Sequence, residues 1–190
     1  MNKGDYGYMN QYKKNHIMAV IVYAVLIAAL VLFANLIDSK LISPICYVIA
    51  IVCVLPAAKH FVAVVVVFPF HTLDEVSAED LNEHTRPLRN GLTVYDVTLA
   101  SVDGIMYSPY IYITKRIVYC LVINTTAKIT LEMVENYVDK ILKNAGLTSE
   151  VRAIHNISEM NRILETLVEQ EDTNMELLRK IKDELLIYNV

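Results

Sequence analysis

Residues 17–37 read IMAVIVYAVLIAALVLFANLI, and after Asp38-Ser39-Lys40 residues 41–58 read LISPICYVIAIVCVLPAA. The first run holds no charge, and Asn35 is its one strongly polar side chain. As a helix it would be about 31 Å long, the thickness of a hydrocarbon core, and the second run would be about 27 Å. A three-residue joint between two such helices forces an antiparallel hairpin. The first run is longer than the apolar part of a cleaved signal and a second run follows at once, so two retained spans are expected. The lipid bilayer is thus the first partner that the sequence implies.

Lysine placement sets the expected orientation. Lys3, Lys13 and Lys14 precede the first run, Lys59 follows the second, and Arg86 and Arg89 come later, whereas the joint has only Lys40. Both outer ends are therefore expected in the cytoplasm of a multi-pass cell-membrane protein. Tyr6, Tyr8 and Tyr12 suit an aromatic belt or an ordered lead-in. The expected organisation is a cytoplasmic tail (1–16), a transmembrane hairpin (17–58), an apolar stem or interfacial segment (59–71) and a cytoplasmic α/β domain (72–190).

The stem is unusual. Phe61–Phe70 is apolar throughout and follows Lys59-His60. Ten residues are too few to cross a bilayer again. The run reads as a continuing helix broken at Pro56, an interfacial segment or a buried β-strand, since Val62 and Val64–Val67 are β-branched. A helix apolar on every side must be covered by something. Phe61, Val64, Val65 and Phe68 are therefore the candidates for self-association, and a homo-oligomer is expected. Lys59 and His60 are candidates for an ion or proton path; a snorkelling lysine and a hydrated histidine at the bilayer boundary account for them more simply.

Charge changes sign along the chain. Residues 1–70 hold five lysines and two acids, a net +3, so the rest must carry −7 for the whole to total −4. Acidic surfaces do not attract phosphate backbones, and no nucleic-acid partner is expected. Three cysteines, Cys46, Cys53 and Cys120, lack CxxC spacing and read as buried thiols.

After residue 71 the pattern becomes that of a globular α/β chain. Thr72-x-x-Glu75 and Ser77-x-x-Asp80 both fit a helix start, and Arg86-Pro87 a stop. Leu92–Val102, Ile105–Thr114 and Ile117–Ile123 read as strands, joined at Asp103-Gly104 and Lys115-Arg116 into an antiparallel three-stranded meander. Pro109 suggests an edge strand or a bulge in the second, and the continuous apolar run of the third suggests a central position. Thr130–Ala145 is an amphipathic helix with Leu131, Val134, Val138, Ile141 and Leu142 in one stripe and Gly146 at its end. A strand over Glu150–His155 follows, then a helix opened by Asn156. A last helix opens at Thr173-x-x-Glu176 and carries Leu178, Ile181 and Leu185.

The first six elements, helix-strand-strand-strand-helix-strand over Ser77–His155, follow an order that resembles the restriction-endonuclease-like core. The resemblance is one of order alone. It implies an acid followed by an (Asp/Glu)-x-Lys on the next strand to hold a divalent metal, and neither the second nor the third strand has that spacing.

Candidate chemistry is sparse. Asp96 could serve as a carboxylate on a strand, although alternation along that strand reads it as a surface residue. His155 could pair with Asp96 in a pocket or with Cys120 across the sheet. His71, Asp74, Glu75 and His84 could make a metal site, but helix starts favour acids in any case. Tyr107, Tyr110, Tyr112 and Tyr119 could stack a ligand or simply fill a strand. No nucleotide, cofactor, zinc-protease or nucleophile-elbow motif is present. The expectation is a membrane-anchored interaction or scaffold module that binds itself or a protein partner. A membrane-bound hydrolase or sensor with a degenerate nuclease-like core, and a small channel or transport subunit, are the alternatives.

Overall fold

A computed structural model describes residues 1–37, 41–88, 91–102, 104–123, 129–167 and 174–189. The chain divides into two compact units, one of Met9–Phe70 and one of Met1–Tyr8 with His71–Val190.

The helical unit holds α1 (Tyr8–Leu36) and α2 (Ile42–Val67), of 29 and 26 residues. Both are long and apolar enough to cross a membrane. The expected joint at 38–40 lies outside the described residues. α2 runs through Pro56 without ending and includes Phe61–Val67, so this apolar stretch is helix and not strand. Its β-branched residues follow a helix already nucleated, and elongation costs far less than nucleation. Apolar side chains face outward: Leu36, Leu41, Ile51 and Leu55 are all exposed. Ala34, Cys46 and Ala50 are buried, small residues of the kind that let two helices approach closely.

The second unit is an α/β sandwich. Its elements are α3 (Glu75–Thr85), β1 (Leu92–Ser101), β2 (Gly104–Ile113), β3 (Ile117–Leu121), α4 (Leu131–Asn144), β4 (Glu150–Ile154), α5 (Ile157–Thr166) and α6 (Met175–Ile187). They build a four-stranded sheet in the order β1-β2-β3-β4. The first three strands are antiparallel, and β4 joins β3 in parallel, so the sheet is mixed. The parallel pairing requires a crossover, which α4 supplies. One face packs Val94, Ile111 and Val118 against Val138 and Leu142 of α4 and Ile181 and Leu185 of α6. The other packs Tyr110, Tyr112 and Tyr119 against Leu81 of α3 and Met160 and Leu164 of α5.

Helix starts follow cap chemistry. Thr130 accepts from the Met133 N–H and Asn156 from the Ser158 N–H. Gly146, just past α4, takes φ of 73°, where a side chain would be strained. Two starts differ from expectation. α3 is capped by Asp74, which accepts from Ser77 N, and neither Thr72 nor Ser77 is the cap. Asn174 caps α6 by accepting from Leu177 N; Thr173 lies outside the described residues, as does Asp103 of the β1–β2 turn.

Pro109 is not on an edge strand, because β2 lies between β1 and β3. The ladder accommodates it locally. Tyr95 pairs with Tyr110 and Val97 with Ser108, while the rung between, Asp96 opposite Pro109, is missing. Proline has no N–H to donate there. Asp96 adopts φ of 51°, the one described non-glycine residue with positive φ. Both strands change face at this rung. Val94 lies in the same cluster as Val97 and Leu99, and Met106 in the same cluster as Ile111 and Ile113, which simple alternation forbids. The register is kept because each strand shifts by the same step.

Candidate functional site

The broken rung is where the α/β unit gathers its polar groups. Asp96 is fully buried, not a surface residue. Alternation misplaced it because the left-handed backbone at this residue turns its side chain off the expected face. One carboxylate oxygen accepts from Tyr107 Oη at 2.6 Å and the other from Thr72 Oγ1 at 2.8 Å. Thr72 thus spends its hydroxyl on Asp96 and not on capping a helix. Tyr107 Oη also lies 2.9 Å from the carbonyl of His71. Burial, with the carboxylate beside it, pushes the Tyr107 phenol far above its ordinary value, so it stays a neutral donor.

Both chain ends reach the same strand. Asn189 Oδ1 accepts from the Thr98 N–H at 2.9 Å and from its hydroxyl at 2.6 Å, and Nδ2 reaches the Asp96 carbonyl at 3.4 Å. Tyr95 N donates to the Gly4 carbonyl at 2.9 Å, and Lys3 donates to the Asn189 carbonyl. Tyr6 Oη donates to the Leu73 carbonyl at 2.9 Å, and its ring meets Tyr95 edge-on. These contacts satisfy an otherwise open sheet edge, where unpaired N–H groups would invite another strand. At the opposite edge Glu135 of α4 accepts from Ala153 N of β4 at 2.8 Å.

His155 stands just beyond β4, exposed, with Nδ1 2.9 Å from the Val122 carbonyl. β1 and β4 are the two edges of the sheet, so Asp96 and His155 are not brought together. Cys120 is fully buried in β3, and burial raises its thiol to about 12, which leaves no thiolate at neutral pH. The residues His71, Asp74, Glu75 and His84 do not converge either. Asp74 is held below the usual carboxylate range by the Ser77 N–H that it caps, and His84 lies 3.9 Å from Asp80 and 3.7 Å from Glu165. Among the described residues no three His, Cys, Asp or Glu side chains cluster as metal ligands.

The helical unit has its own polar contacts. His60 Nδ1 lies 2.9 Å from His16 Nδ1, a partner that sequence reading did not single out. One nitrogen must donate and the other accept, so the bond cannot survive protonation of both rings. Tyr12 tilts onto His16 and Tyr23 stacks on His60. One helical turn earlier in α1, Lys13 donates to the Phe68 carbonyl at 3.0 Å and to that of Phe70, capping the end of α2 with a cation. At the other end Tyr47 Oη donates to Asn35 Oδ1 at 2.8 Å. These contacts fix how far α1 slides along α2. Lys59 is exposed, as are Phe61, Val65 and Phe68, while Val64 is half-buried.

The signals for these sites were weak in sequence. His16 and His60 are 44 residues apart with no motif linking them. Pro109 marked the broken rung, but only pairing reveals that Asp96 lies opposite.

The chain matches no protein-family model, no curated protein and no solved structure.

Proposed function

We propose that α1 and α2 cross a bilayer as a hairpin and hold the α/β unit at its cytoplasmic face as an interaction module that associates with further copies of itself. One observation carries the reading. Only 6% of the most apolar window of each long helix is buried within the protein. A core helix of a soluble domain would hide that surface, since contiguous apolar patches of this size are rare against water.

Two further features support it. An even number of crossings returns a chain to the side on which it started. Residues 1–8 and residues from 71 onward belong to one compact unit, joined through Gly4 to Tyr95 and Tyr6 to Leu73. The lysine excess at the outer ends favours the inner face for that side. Self-association draws on the exposed Phe61, Val65 and Phe68 of α2.

The catalytic alternative has less behind it. A nuclease-like core needs carboxylates on the strands that β2 and β3 provide, and neither has one. The Asp96 carboxylate is already engaged by two hydroxyls inside the unit. The channel alternative draws on His60, whose ring is occupied by His16.

The test has two arms. A reporter active only outside the cytoplasm, fused after residue 190, should be silent, and strong activity would overturn the orientation. Mass photometry of the detergent-purified protein should give an oligomer that Val64→Ser with Phe68→Ser weakens. A monomeric wild type would remove self-association from the proposal.

A further inference from the structure

The Tyr110 hydroxyl is fully buried and has no hydrogen-bond partner, the one described tyrosine left so. An orphaned buried hydroxyl costs roughly 1–3 kcal/mol, so the fold tolerates it only for a reason or for a missing partner. Its nearest polar neighbours are the hydroxyls of Thr85 and Thr93. Both line a recess of about 300 Å³ between the end of α3 and the start of β1, with Asn82, Arg86, Gly91 and Tyr112 completing the wall.

The wall is rich in donors. Asn82 has its oxygen taken by Tyr95 Oη at 2.6 Å, which turns its amide N–H groups into the recess as the free end of the side chain. Thr85 gives its own proton back to the carbonyls of Leu81 and Asn82, both at 3.2 Å. Arg86 brings a guanidinium, and Thr93, Tyr110 and Tyr112 bring hydroxyls. No carboxylate lines the recess. Burial raises the Tyr112 phenol to about 12 and raises Tyr110 as well, so both remain protonated donors at neutral pH. Gly91 is required by the shape: a Cβ there would lie 2.2 Å from the Tyr112 hydroxyl. The absent side chain lets the Tyr112 ring lie flat against the backbone and form the floor.

The geometry points to a binding site for a small oxyanion, a carboxylate or phosphate, held by the Arg86 guanidinium and by hydrogen bonds from Asn82, Thr93 and Tyr110. A guanidinium presents paired N–H groups that match two oxygens of such an anion, and converging neutral donors add direction. The volume is at the small end of ligand sites, which suits a metabolite-sized acid and not a nucleotide. The site goes beyond the anchoring role proposed above: it would let the α/β unit respond to a soluble acid.

The experiment is calorimetric titration of the full chain in detergent micelles with inorganic phosphate, with succinate and, as a neutral control, with glycerol. Saturable binding of one anion and none of glycerol is expected, and which anion binds separates phosphate from carboxylate. Arg86→Gln, at an exposed position, should weaken it roughly ten- to a hundredfold, the loss of one charge-assisted contact. Tyr110→Phe should weaken it as well, while leaving the melting temperature unchanged or higher. If Tyr110→Phe does not fold, Gly91→Ala serves instead, because it displaces Tyr112 and should abolish binding. No saturable binding of either anion, or binding unaffected by Arg86→Gln, would overturn the assignment and leave an ordered water as the partner of Tyr110.

Discussion

The two units of this protein use the same residue types in opposite directions. In the α/β unit Leu142, Ile181 and Leu185 are fully buried, and the sheet is covered on both faces. In the helical unit Val25, Ile51 and Leu55 are exposed, while Lys13, His16, Asn35, Tyr47 and His60 make the contacts that align the helices. In water the hydrophobic effect drives leucine inward and supplies the fold's stability. Lipid removes that drive between helices, and close packing with a few polar contacts replaces it. The contrast is one of solvent, and it can be tested residue by residue.

The largest effect should come from the α/β core. Leu142→Ala removes a fully buried side chain between α4 and the sheet and should cost about 2–5 kcal/mol of that unit's stability. Leu55→Ala, at a 73% exposed position of α2, should leave the unfolding transition of the α/β unit in place. Chemical denaturation in detergent, followed by circular dichroism, measures both. Equal losses would mean that the helices are packed in a shared aqueous core, and the comparison would fail.

A charge gives the converse test. Val25→Asp puts a carboxylate near the middle of α1, at a cost of about 2.5–3.5 kcal/mol if that face meets lipid. Val76 is also apolar and is 78% exposed, but it belongs to the α/β unit, and Val76→Asp should change stability by less than about 0.5 kcal/mol. Membrane fractionation of the two variants separates them: the first should shift toward the soluble or degraded fraction and the second should not. Val25→Asp that inserts like wild type would break the assignment of α1 as a span.

Asp96 sharpens the comparison from inside the α/β unit, where a polar network, like those of the helices, takes over from apolar packing. Asp96→Ala strips Tyr107 and Thr72 of their acceptor and keeps a side chain at φ of 51°. The expected loss is about 1–3 kcal/mol, with Asp96→Asn milder because asparagine tolerates that backbone and can still accept. Thermal melts of the three proteins rank them, and an Asp96→Ala variant as stable as wild type would mean that the network contributes nothing.

The smallest effect concerns Asp74 at the start of α3. Its carboxyl titrates below its ordinary value because the charged form accepts the Ser77 N–H. A lowered folded pKa means that the cap's contribution is present above the unfolded value and is lost as pH falls through the lower, folded one. Amide exchange at Ser77 should therefore quicken only on strong acidification, and in Asp74→Ala it should be quick at every pH. Rates in that variant equal to wild type would show that the cap does not hold the helix end.

How much of this was legible without coordinates follows from the range of each interaction. The two apolar helices, the meander, the crossover helix and the caps at Thr130 and Asn156 could be read directly, because a span's length, a strand's alternation and an N-cap are decided within a few residues. The meander lacked its fourth strand's partner: that Glu150–Ile154 lies parallel to β3 depends on where α4 returns the chain. Alternation failed at Asp96, since one left-handed residue opposite a proline reverses the faces of two strands at once.

Composition and periodicity thus determined the solvent that each stretch must meet: lipid or a covering partner for 17–70, a two-faced core for 71–190. Tertiary structure alone decided which distant polar groups meet. It joined His16 to His60, brought residues 1–8 and Asn189 onto β1, turned Asp96 inward and left the Tyr110 hydroxyl beside Thr85 and Thr93. The physical reason is that burial energy is roughly proportional to area and has no direction, so it can be read from residue type along the chain. A hydrogen bond needs two particular atoms at about 3 Å and in line, which only the folded path of the backbone can supply.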